Sequence, residues 1–284
     1  MPNEINWTTT IYMVVLHGLA LLAFLPQFWS WGGFFWMLGL YYVTLAWGIT
    51  IGYHRLLSHR SFKVPRWLER FFTLCGTLSM QHGPITWVGL HRHHHIHSDK
   101  DVDHHDSKKG FLWSHIGWMM FEVPAMKEVP YLTRDLQKDP FYVWLENYFV
   151  IPQIILGLVL YSLGGWSWVI WGIFVRLVVC YHVTWTINSF SHMFGERPYK
   201  TGDNSTNNKW LSLLTFGEAW HNNHHYMPHS ARHGWLPGQI DITWYHISLM
   251  KQLGLCKNVK RPYLTNQSIK DYETLQKHTD PHSL

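Results

Sequence analysis

Two histidine motifs with the same spacing lie far apart in this sequence. HRHHH begins at His91, and HNNHH begins at His221. Residues three and four positions apart share one face of a helix, so each motif would present three imidazoles together in an HxxHH pattern. Imidazole binds zinc, copper, nickel and iron, and both motifs therefore predict a metal site.

Two further segments extend this set. HRLLSH contributes His54 and His59, while NSFSH places Asn188 and His192 four residues apart. The predicted histidine ligands are His54, His59, His91, His94, His95, His192, His221, His224 and His225. These nine imidazoles exceed the six positions of an octahedral ion, and a catalytic ion also keeps one position open. The sequence therefore predicts two metal ions.

Other histidines and one carboxylate have simpler interpretations. His17, His182 and His246 are isolated and are expected to be packing residues. Seven histidines lie near the motifs and could support the ligands from behind, namely His82, His97, His104, His105, His115, His229 and His233. Glu218 and His221 form one Glu-x-x-His, but soluble di-iron bundles need two copies, so Glu218 is interpreted as a support or a helix cap.

The elements that must hold these ligands are membrane helices. Of 284 residues, only 14% are charged and 17% are aromatic. Four segments approach the ~20 residues that a bilayer core requires. They are residues 11–29, 33–51, 147–163 and 166–185. A Gly-Gly turn separates the last two, and Arg176 is their one charge, so we predict an all-α membrane protein with two transmembrane hairpins.

Basic residues orient these helices. Residues 52–146 contain 12 Lys and Arg, residues 186–284 contain 10, and the links within the hairpins contain none. The positive-inside rule therefore predicts that both regions form a helical cap in the cytosol, together with both termini. The formal charge of +5 would also suit a nucleic-acid binder, but those proteins lack apolar helices of spanning length. Segment 71–90 is interrupted by polar residues and is expected to form helices at the membrane interface.

The remaining features fit one membrane domain over residues 1–284. The N-terminus lacks the basic region and cleavage site of a secretory signal, so the first span is expected to be retained. The three cysteines are widely separated and match no disulfide or metal motif. We expect them to be packing residues.

With these motifs the chain resembles the membrane fatty-acyl desaturases of the stearoyl desaturase type. The resemblance runs from about Gly52 to Pro262 and rests on HRLLSHRSF, WVGLHRHHHIHSD, DSKKGFLWSHIGW, WTINSFSHMFG, and FGEAWHNNHH followed by SARHGW. It implies four transmembrane helices under a cytosolic cap, a di-iron site, and a bent hydrophobic tunnel that places the acyl chain beside the metals.

The resemblance also assigns the ligands to the two irons. One iron would take His54, His95, His221 and His225, with Asn188 acting through a water. The other would take His59, His91, His94, His192 and His224.

Substrate contacts are implied in the same way. Trp185 matches a family tryptophan near the substrate entrance, and Leu38 and Tyr42 on the second span are candidates for setting the tunnel depth. Lys108 and Lys109 match a basic pair that meets the substrate head group, although such a pair also suits a phospholipid phosphate.

One departure concerns the carrier of the acyl chain. Animal family members have an Arg-Asp pair directly before the second histidine motif, where it contacts coenzyme A, and this chain has Gly89 and Leu90 there. Its WVGLHRHHH context looks more like the cyanobacterial acyl-lipid desaturases, which act near the middle of glycerolipid chains, typically at the ninth carbon, and use ferredoxin. The resemblance therefore favours an acyl-lipid delta-9 desaturase over an acyl-CoA enzyme.

The chemistry requires a metal and an electron donor. An unactivated methylene has no acidic proton and no leaving group, so acid or base residues cannot remove its hydrogens. The resemblance implies two irons, O2 as co-substrate and two external electrons per turnover. Without a GxGxxG loop, a haem motif or an iron-sulfur cysteine set, the chain needs a partner, and its basic cytosolic surface suits ferredoxin or cytochrome b5.

Two other functions remain open. A di-iron lipid hydroxylase would use the same oxidant but leave an oxygen in the product. A His-rich metal transporter or metal-binding protein would need no repeated HxxHH geometry, and a transporter would require polar ligands within its spans.

Overall fold

A computed structural model describes residues 4–263, and every regular element in that range is a helix. The α-helices are α1 (Trp7–Leu21), α2 (Trp31–Tyr42), α3 (Arg66–Thr77), α4 (Pro84–His97), α5 (Phe111–His115), α6 (Val129–Leu132), α7 (Pro140–Asn147), α8 (Val150–Val169), α9 (Arg176–Asn188), α10 (Lys209–Leu214), α11 (His221–Tyr226) and α12 (Ile242–Gln252). The 3-10 turns are Leu22–Phe24, Pro26–Phe28, Ser107–Lys109, Gly117–Met120, Pro124–Lys127 and Phe190–His192, while π-helices follow α2 over Val43–Ser58 and join α8 to α9 over Ile170–Val175. The prediction of an all-α protein is confirmed for the described residues.

Three of the described helical stretches are long and apolar enough to cross a membrane. They are Trp7–Phe24, Trp31–Ser58 and Val150–His192. Their exposed side chains are largely hydrophobic, as at Phe35, Leu158 and Leu163, which is the surface expected against lipid. The second stretch continues to Ser58, beyond the predicted end at residue 51, and therefore carries His54 on the helix itself.

The third stretch reverses direction at the predicted Gly-Gly turn. Gly165 has a φ of 64°, which suits glycine, and neither Gly164 nor Gly165 is helical. Beyond the turn, Arg176 Nη2 donates to Gln153 Oε1 at 2.9 Å. In an unbroken helix these residues would be about 35 Å apart, so the two halves must lie side by side.

Arg176 is a fully buried charge that ties the helices together. Besides its bond to Gln153, it donates to Thr44 Oγ1 at 2.6 Å and to the carbonyl oxygen of Leu78 at 3.0 Å. Uncharged oxygen atoms of three other segments therefore accept hydrogen bonds from the guanidinium. A charge among apolar helices is tolerated when its polar atoms find partners within the protein.

The helical segment 71–90 folds as two helices, as predicted, and the first of them packs directly on the π-helix. Gly48 and Gly52 line this contact four residues apart. A Cβ at Gly48 would lie 2.5 Å from the carbonyl carbon of Cys75, and one at Gly52 would lie 2.7 Å from the oxygen of Phe72. Only glycine permits this backbone approach, which fixes α3 against the helix that bears His54.

Candidate metal centre

The structure gathers all nine predicted histidines into two adjoining clusters. Cluster 1 contains His54, His59, His91, His95 and His224, and cluster 2 contains His94, His192, His221 and His225. Within each cluster the candidate ligand atoms all lie within 4.8 Å of one another. The clusters meet where the rings of His95 and His225 stack, with centroids 4.5 Å apart.

π-helical geometry explains how His54 and His59 meet despite a spacing of five. In this helix the hydrogen bonds reach five residues back, and His59 N donates to His54 O at 3.1 Å. Residues five apart therefore stand nearly above one another, and the two rings lie 4.8 Å apart between centroids. In an α-helix the same two side chains would point in different directions.

The two HxxHH motifs exchange one histidine each. His91 and His95 of α4 lie in cluster 1, whereas His94 between them turns to cluster 2. In α11 the outer pair belongs to cluster 2 and His224 belongs to cluster 1. Each motif thus gives its i, i+4 pair to one cluster and its i+3 member to the other.

This arrangement corrects the division of ligands that the resemblance implied. His95 lies with His59 and His91 and not with His221 and His225, while His94 and His192 lie in cluster 2. The i, i+4 side chains of a helix stand closest to one line along its axis, so they reach the same point and the i+3 side chain diverges. Asn188 lies beside His94 and His221 on the wall of a shared cavity.

Three aspartates contact the Nδ1 atoms of three cluster 2 histidines and hold these rings in place. Nδ1 of His94 lies 3.0 Å from Asp103, Nδ1 of His192 lies 2.8 Å from Asp99, and Nδ1 of His225 lies 2.8 Å from Asp203. A carboxylate on Nδ1 fixes the ring and leaves Nε2 as the free donor, which is the usual support of metal-binding histidine. Sequence reasoning missed these aspartates, although HSDKDVDHHD does place acidic residues next to the second motif.

Glu218 supports a histidine of cluster 1 in the same way, through the Nδ1 atom of that histidine. Its Oε2 lies 2.6 Å from Nδ1 of His54, and its Oε1 accepts from Arg55 Nε at 3.0 Å. Arg55 also donates to Asp241 Oδ2 at 3.0 Å. Burial raises the pKa of Glu218, but Arg55 first and then His54 and His233 outweigh it and hold this pKa well below its usual range. The supporting role predicted for Glu218 therefore agrees with its position.

The electrostatics keep several of the cluster imidazoles available as donors, while at His94 burial lowers the pKa but Asp103 outweighs it and raises this pKa. Burial lowers the pKa of His91, His95, His221 and His224 well below the ordinary value, and neighbouring histidines lower it further. Burial also lowers the pKa of His225, to about 4, despite the opposing Asp203. Metal binding requires deprotonated imidazole, so the rings with a lowered pKa are in the required state at neutral pH.

The spacing of the ring nitrogens fits shared metal ions. Nε2 atoms lie 2.8 Å apart for His59 and His91, 3.1 Å for His54 and His224, and 3.0 Å for His192 and His221. Two nitrogens about 2.1 Å from one ion lie about 3.0 Å apart at neighbouring octahedral corners. Nε2 of His225 is buried and has no hydrogen-bond partner in the described chain, as expected of an atom that faces a ligand. The clusters therefore fit two ions.

A cavity opens directly onto both clusters. It measures about 600 Å³ including its mouth. Its apolar wall comes from the π-helix, α4 and α9, and its end is formed by histidines of both clusters. The lining side chains include Leu45, Ile49, Trp87, Val183, Thr184, Ile187, His54, His91, His94 and His221.

Three polar side chains stiffen one wall of the cavity. Gln81 Nε2 donates to Thr184 Oγ1 at 3.1 Å, and Trp87 Nε1 donates to Gln81 Oε1 at 3.4 Å. Trp87 also stacks on His91, with ring centroids 5.2 Å apart. These hydrogen bonds therefore link α4 to α9 beside cluster 1.

The predicted substrate contacts lie elsewhere. Leu38 is 44% exposed on α2, Tyr42 bonds His246 Nε2 at 2.6 Å, and neither lines the cavity. The helix changes to π geometry at Val43 and presents Leu45 and Ile49 to this cavity instead, and a role of Leu38 and Tyr42 in setting the tunnel depth stays a prediction. Trp185 is buried against Tyr181 and does not line the cavity either.

Lys108 and Lys109 are exposed at the surface. Lys108 Nζ donates to the carbonyl oxygen of Asp99 at 2.6 Å, and Lys109 lies over the ring of Trp113.

Gly89 packs against Val129, where a Cβ added to Gly89 would lie 2.8 Å from Cγ1 of Val129, and Leu90 is buried in the core. The two positions before the second motif are therefore packing positions between α4 and α6.

The nearby histidines divide into two sets. His105 lines the cavity beside His94, His233 is fully buried between Glu218 and His224, and His229 Nδ1 lies 3.2 Å from the oxygen of His59. The others stand away from the clusters, with His82 beside Phe149, His115 bonded to His182, His104 beside Trp118, and His97 beside His93.

Replacing Asp103 with asparagine is expected to lower the metal affinity of cluster 2 about 10–100-fold. The change keeps the size of the side chain but removes the charge that orients His94. Burial raises the pKa of Asp103, yet His94 and then His105 outweigh it and hold this pKa well below its usual value. Chelator competition with metal counted per chain gives the affinity.

Asp101→Asn is the matched control, because Asp101 is exposed two residues away and its carboxylate contacts none of the histidines. Equal metal retention in Asp103→Asn and Asp101→Asn would contradict the supporting role.

Comparison with known proteins gives one consistent result. A family model described as "Fatty acid desaturase" matches residues 26–262. The chain is 53% identical to a protein of Anabaena variabilis named sn-1 stearoyl-lipid 9-desaturase, over 90% of this chain and 94% of that one. It is 45% identical to an sn-2 palmitoyl-lipid 9-desaturase of a Nostoc species, over 90% of each chain. It is also 40% identical to an acyl-CoA C20 Delta5-desaturase of Anemone leveillei, over 90% of this chain and 83% of that one.

Proposed function

Because this chain belongs to the fatty acid desaturase family, and is thus an oxidoreductase that acts on acyl chains, we propose that it inserts a cis double bond at the ninth carbon of a saturated chain esterified in a membrane lipid. A stearoyl chain at the sn-1 position is the substrate that the 53% identical relative is named for. The identity to the sn-2 palmitoyl-lipid relative is lower, at 45%.

The observation that carries this proposal is the contact between an apolar cavity and both histidine clusters. Leu45, Ile49 and Val183 form a wall suited to methylene groups, and His54 and His221 stand at its end. An extended acyl chain in this cavity would bring two adjacent carbons to both clusters at once. Holding the reacting carbons at a fixed distance supplies much of the rate enhancement.

We propose iron as the metal, one ion in each cluster. When bound, the ions supply with O2 the oxidising power to break unactivated C–H bonds. The overall reaction takes one hydrogen from each of two adjacent carbons, and these combine with O2, two electrons and two protons to give two waters. The aspartates and Glu218 hold the imidazoles in place, and the buried cavity wall excludes bulk water from the reacting carbons.

We further propose four spans in two hairpins, with the cap and both termini in the cytosol. The stretch Val150–His192 is 43 residues long, about 65 Å if it were straight, which is twice a bilayer core, and its Gly-Gly reversal divides it into two spans. The basic residues of segments 52–146 and 186–284 support the cytosolic side.

The packing before the second motif supports a lipid over a coenzyme A ester. Gly89 and Leu90 are enclosed between α4 and α6 and offer no charge to a soluble head group. Lys108 and Lys109 are exposed and could meet a lipid phosphate. The acyl-CoA relative from Anemone leveillei makes an acyl-CoA substrate the second candidate.

The electrons would come from a separate acidic carrier, ferredoxin or cytochrome b5. Exposed basic side chains of the cap, among them Arg60, Arg66 and Lys100, would attract it. Association steered by such charges is fast at low salt and slows as salt rises.

The test is expression in a host whose lipids are saturated and which supplies reduced ferredoxin. Mass spectrometry of the intact lipids and of their cleaved chains should locate a new cis double bond at carbon 9 of the sn-1 chain. Product found first in the acyl-CoA pool would favour the second candidate. An added oxygen would indicate a hydroxylase, and unchanged lipids with iron-loaded protein would refute the proposal.

A further inference from the structure

A third group of potential ligands lies on the other side of α4. His93 and His97 are four residues apart and share a face of α4, and His93 points away from His91 and His95. Together with Glu128, at the beginning of α6, they form a group whose candidate ligand atoms lie within 4.8 Å of one another. None of the three belongs to either histidine cluster.

The contacts within this group do not look like ordinary hydrogen bonds. His93 Nε2 lies 3.8 Å from Glu128 Oε1, which is too long for a hydrogen bond, and the rings of His93 and His97 lie 4.6 Å apart between centroids. His93 is only 1% exposed, and its Nδ1 has no partner in the described chain. A buried imidazole normally pairs both nitrogens, but neither nitrogen of His93 makes a hydrogen bond in the described chain, and Nε2, the atom nearest Glu128, is left available to bind an ion.

We propose that His93, His97 and Glu128 form an auxiliary site for a zinc-class divalent cation, separate from the dinuclear centre and independent of the proposed function. An i, i+4 histidine pair on a helix with one carboxylate from another segment is a well-known zinc donor set, with water in the fourth position. A gap of 3.8 Å between nitrogen and oxygen is close to the separation of two tetrahedral ligands, about 3.4 Å.

Access and charge also suit this role. The side chain of Glu128 is 53% exposed and His97 is half-buried, so an ion can enter from solvent while His93 anchors it inside. One carboxylate and two neutral imidazoles leave a net positive complex that water can complete. Imidazole with carboxylate selects zinc, nickel or copper over magnesium and calcium.

A bound ion would join two parts of the cap. α4 carries three histidines of the dinuclear centre, and Glu128 begins the helix whose Val129 packs on Gly89 of α4. The ion would therefore join α6 to α4 at a second point, on the face of α4 opposite His91 and His95.

The experiment is a zinc titration of the purified, iron-loaded full chain against a chromophoric zinc chelator, with iron measured in the same samples. The unmodified chain should bind about one zinc without releasing iron. His97→Gln and Glu128→Gln should each weaken zinc binding at least about tenfold, with iron content and desaturation unchanged.

Glu122→Gln is the matched control, because it removes an exposed carboxylate from the same segment outside the group. Zinc binding that persists in Glu128→Gln, that falls equally in Glu122→Gln, or that occurs only as iron leaves would overturn the site. Glu128→Gln changes only an exposed side chain and decides the matter even if His97→Gln does not fold. The zinc count requires no lipid product, so its outcome is independent of the proposed desaturase activity.

Discussion

We expect desaturation to disappear when His94 is replaced by alanine, and the iron content, which we propose to be about two per chain, to fall to about one or less. His94 is the single histidine of α4 that reaches cluster 2, and it also lines the cavity. The change removes one of the four imidazoles of that cluster and leaves Asp103, buried and charged, without its partner. Product analysis of the membrane lipids and iron quantification on the purified variant measure both effects.

His97→Gln is the control for this experiment. His97 lies on the same helix, three residues further on, and outside both clusters. It should retain iron and activity. A His94→Ala variant that still makes unsaturated lipid would show that cluster 2 does not hold a catalytic ion.

A substitution that fills the cavity should abolish activity by blocking the acyl chain rather than by removing metal. Val183→Trp places an indole where the wall of the cavity now holds a small side chain. Val183 belongs to neither histidine cluster. An 18-carbon chain could no longer reach His54 and His221, whereas the clusters should keep their iron. We expect a loss of product of at least about a hundredfold, because a displacement of about 1 Å alone can cost that much.

The iron count is what distinguishes this variant from His94→Ala. Val159→Trp makes the same change on the exposed surface of α8 and should leave activity intact. Normal desaturation by Val183→Trp would mean that the acyl chain binds elsewhere, and loss of iron in that variant would mean that the damage is to the metal centre.

The six histidines of the two HxxHH motifs were predictable because they obey α-helical spacing. HxxHH puts its imidazoles on one face in any helix, so the sequence reveals that they converge. It does not reveal which of them share an ion, because that depends on how α4 and α11 face each other, and His94 and His224 cross between clusters. The same ambiguity affects Glu218, which lies three residues before His221 of cluster 2 but contacts His54 of cluster 1.

Other features depend on geometry that no residue pattern carries. Asp99, Asp103 and Asp203 come from irregular segments, so no periodicity connects them to the histidines they support. The π-helix brings His54 and His59 together and also rotates the residues before it. The π geometry places Ile49 and Leu45, five and nine residues before His54, near the face of His54, where they line the cavity, whereas Leu38 and Tyr42 do not line it.

The exchange of histidines between the two motifs bears on how a cell makes this protein. A ribosome releases His54 through His95 well before His221 emerges, and neither cluster can be completed until α11 exists. The nascent chain therefore exposes imidazoles that can bind stray copper or zinc but cannot yet form either complete cluster. Correct loading is a late event of biogenesis, and cells that overproduce the chain faster than they import iron should accumulate mismetallated protein already inserted in the membrane.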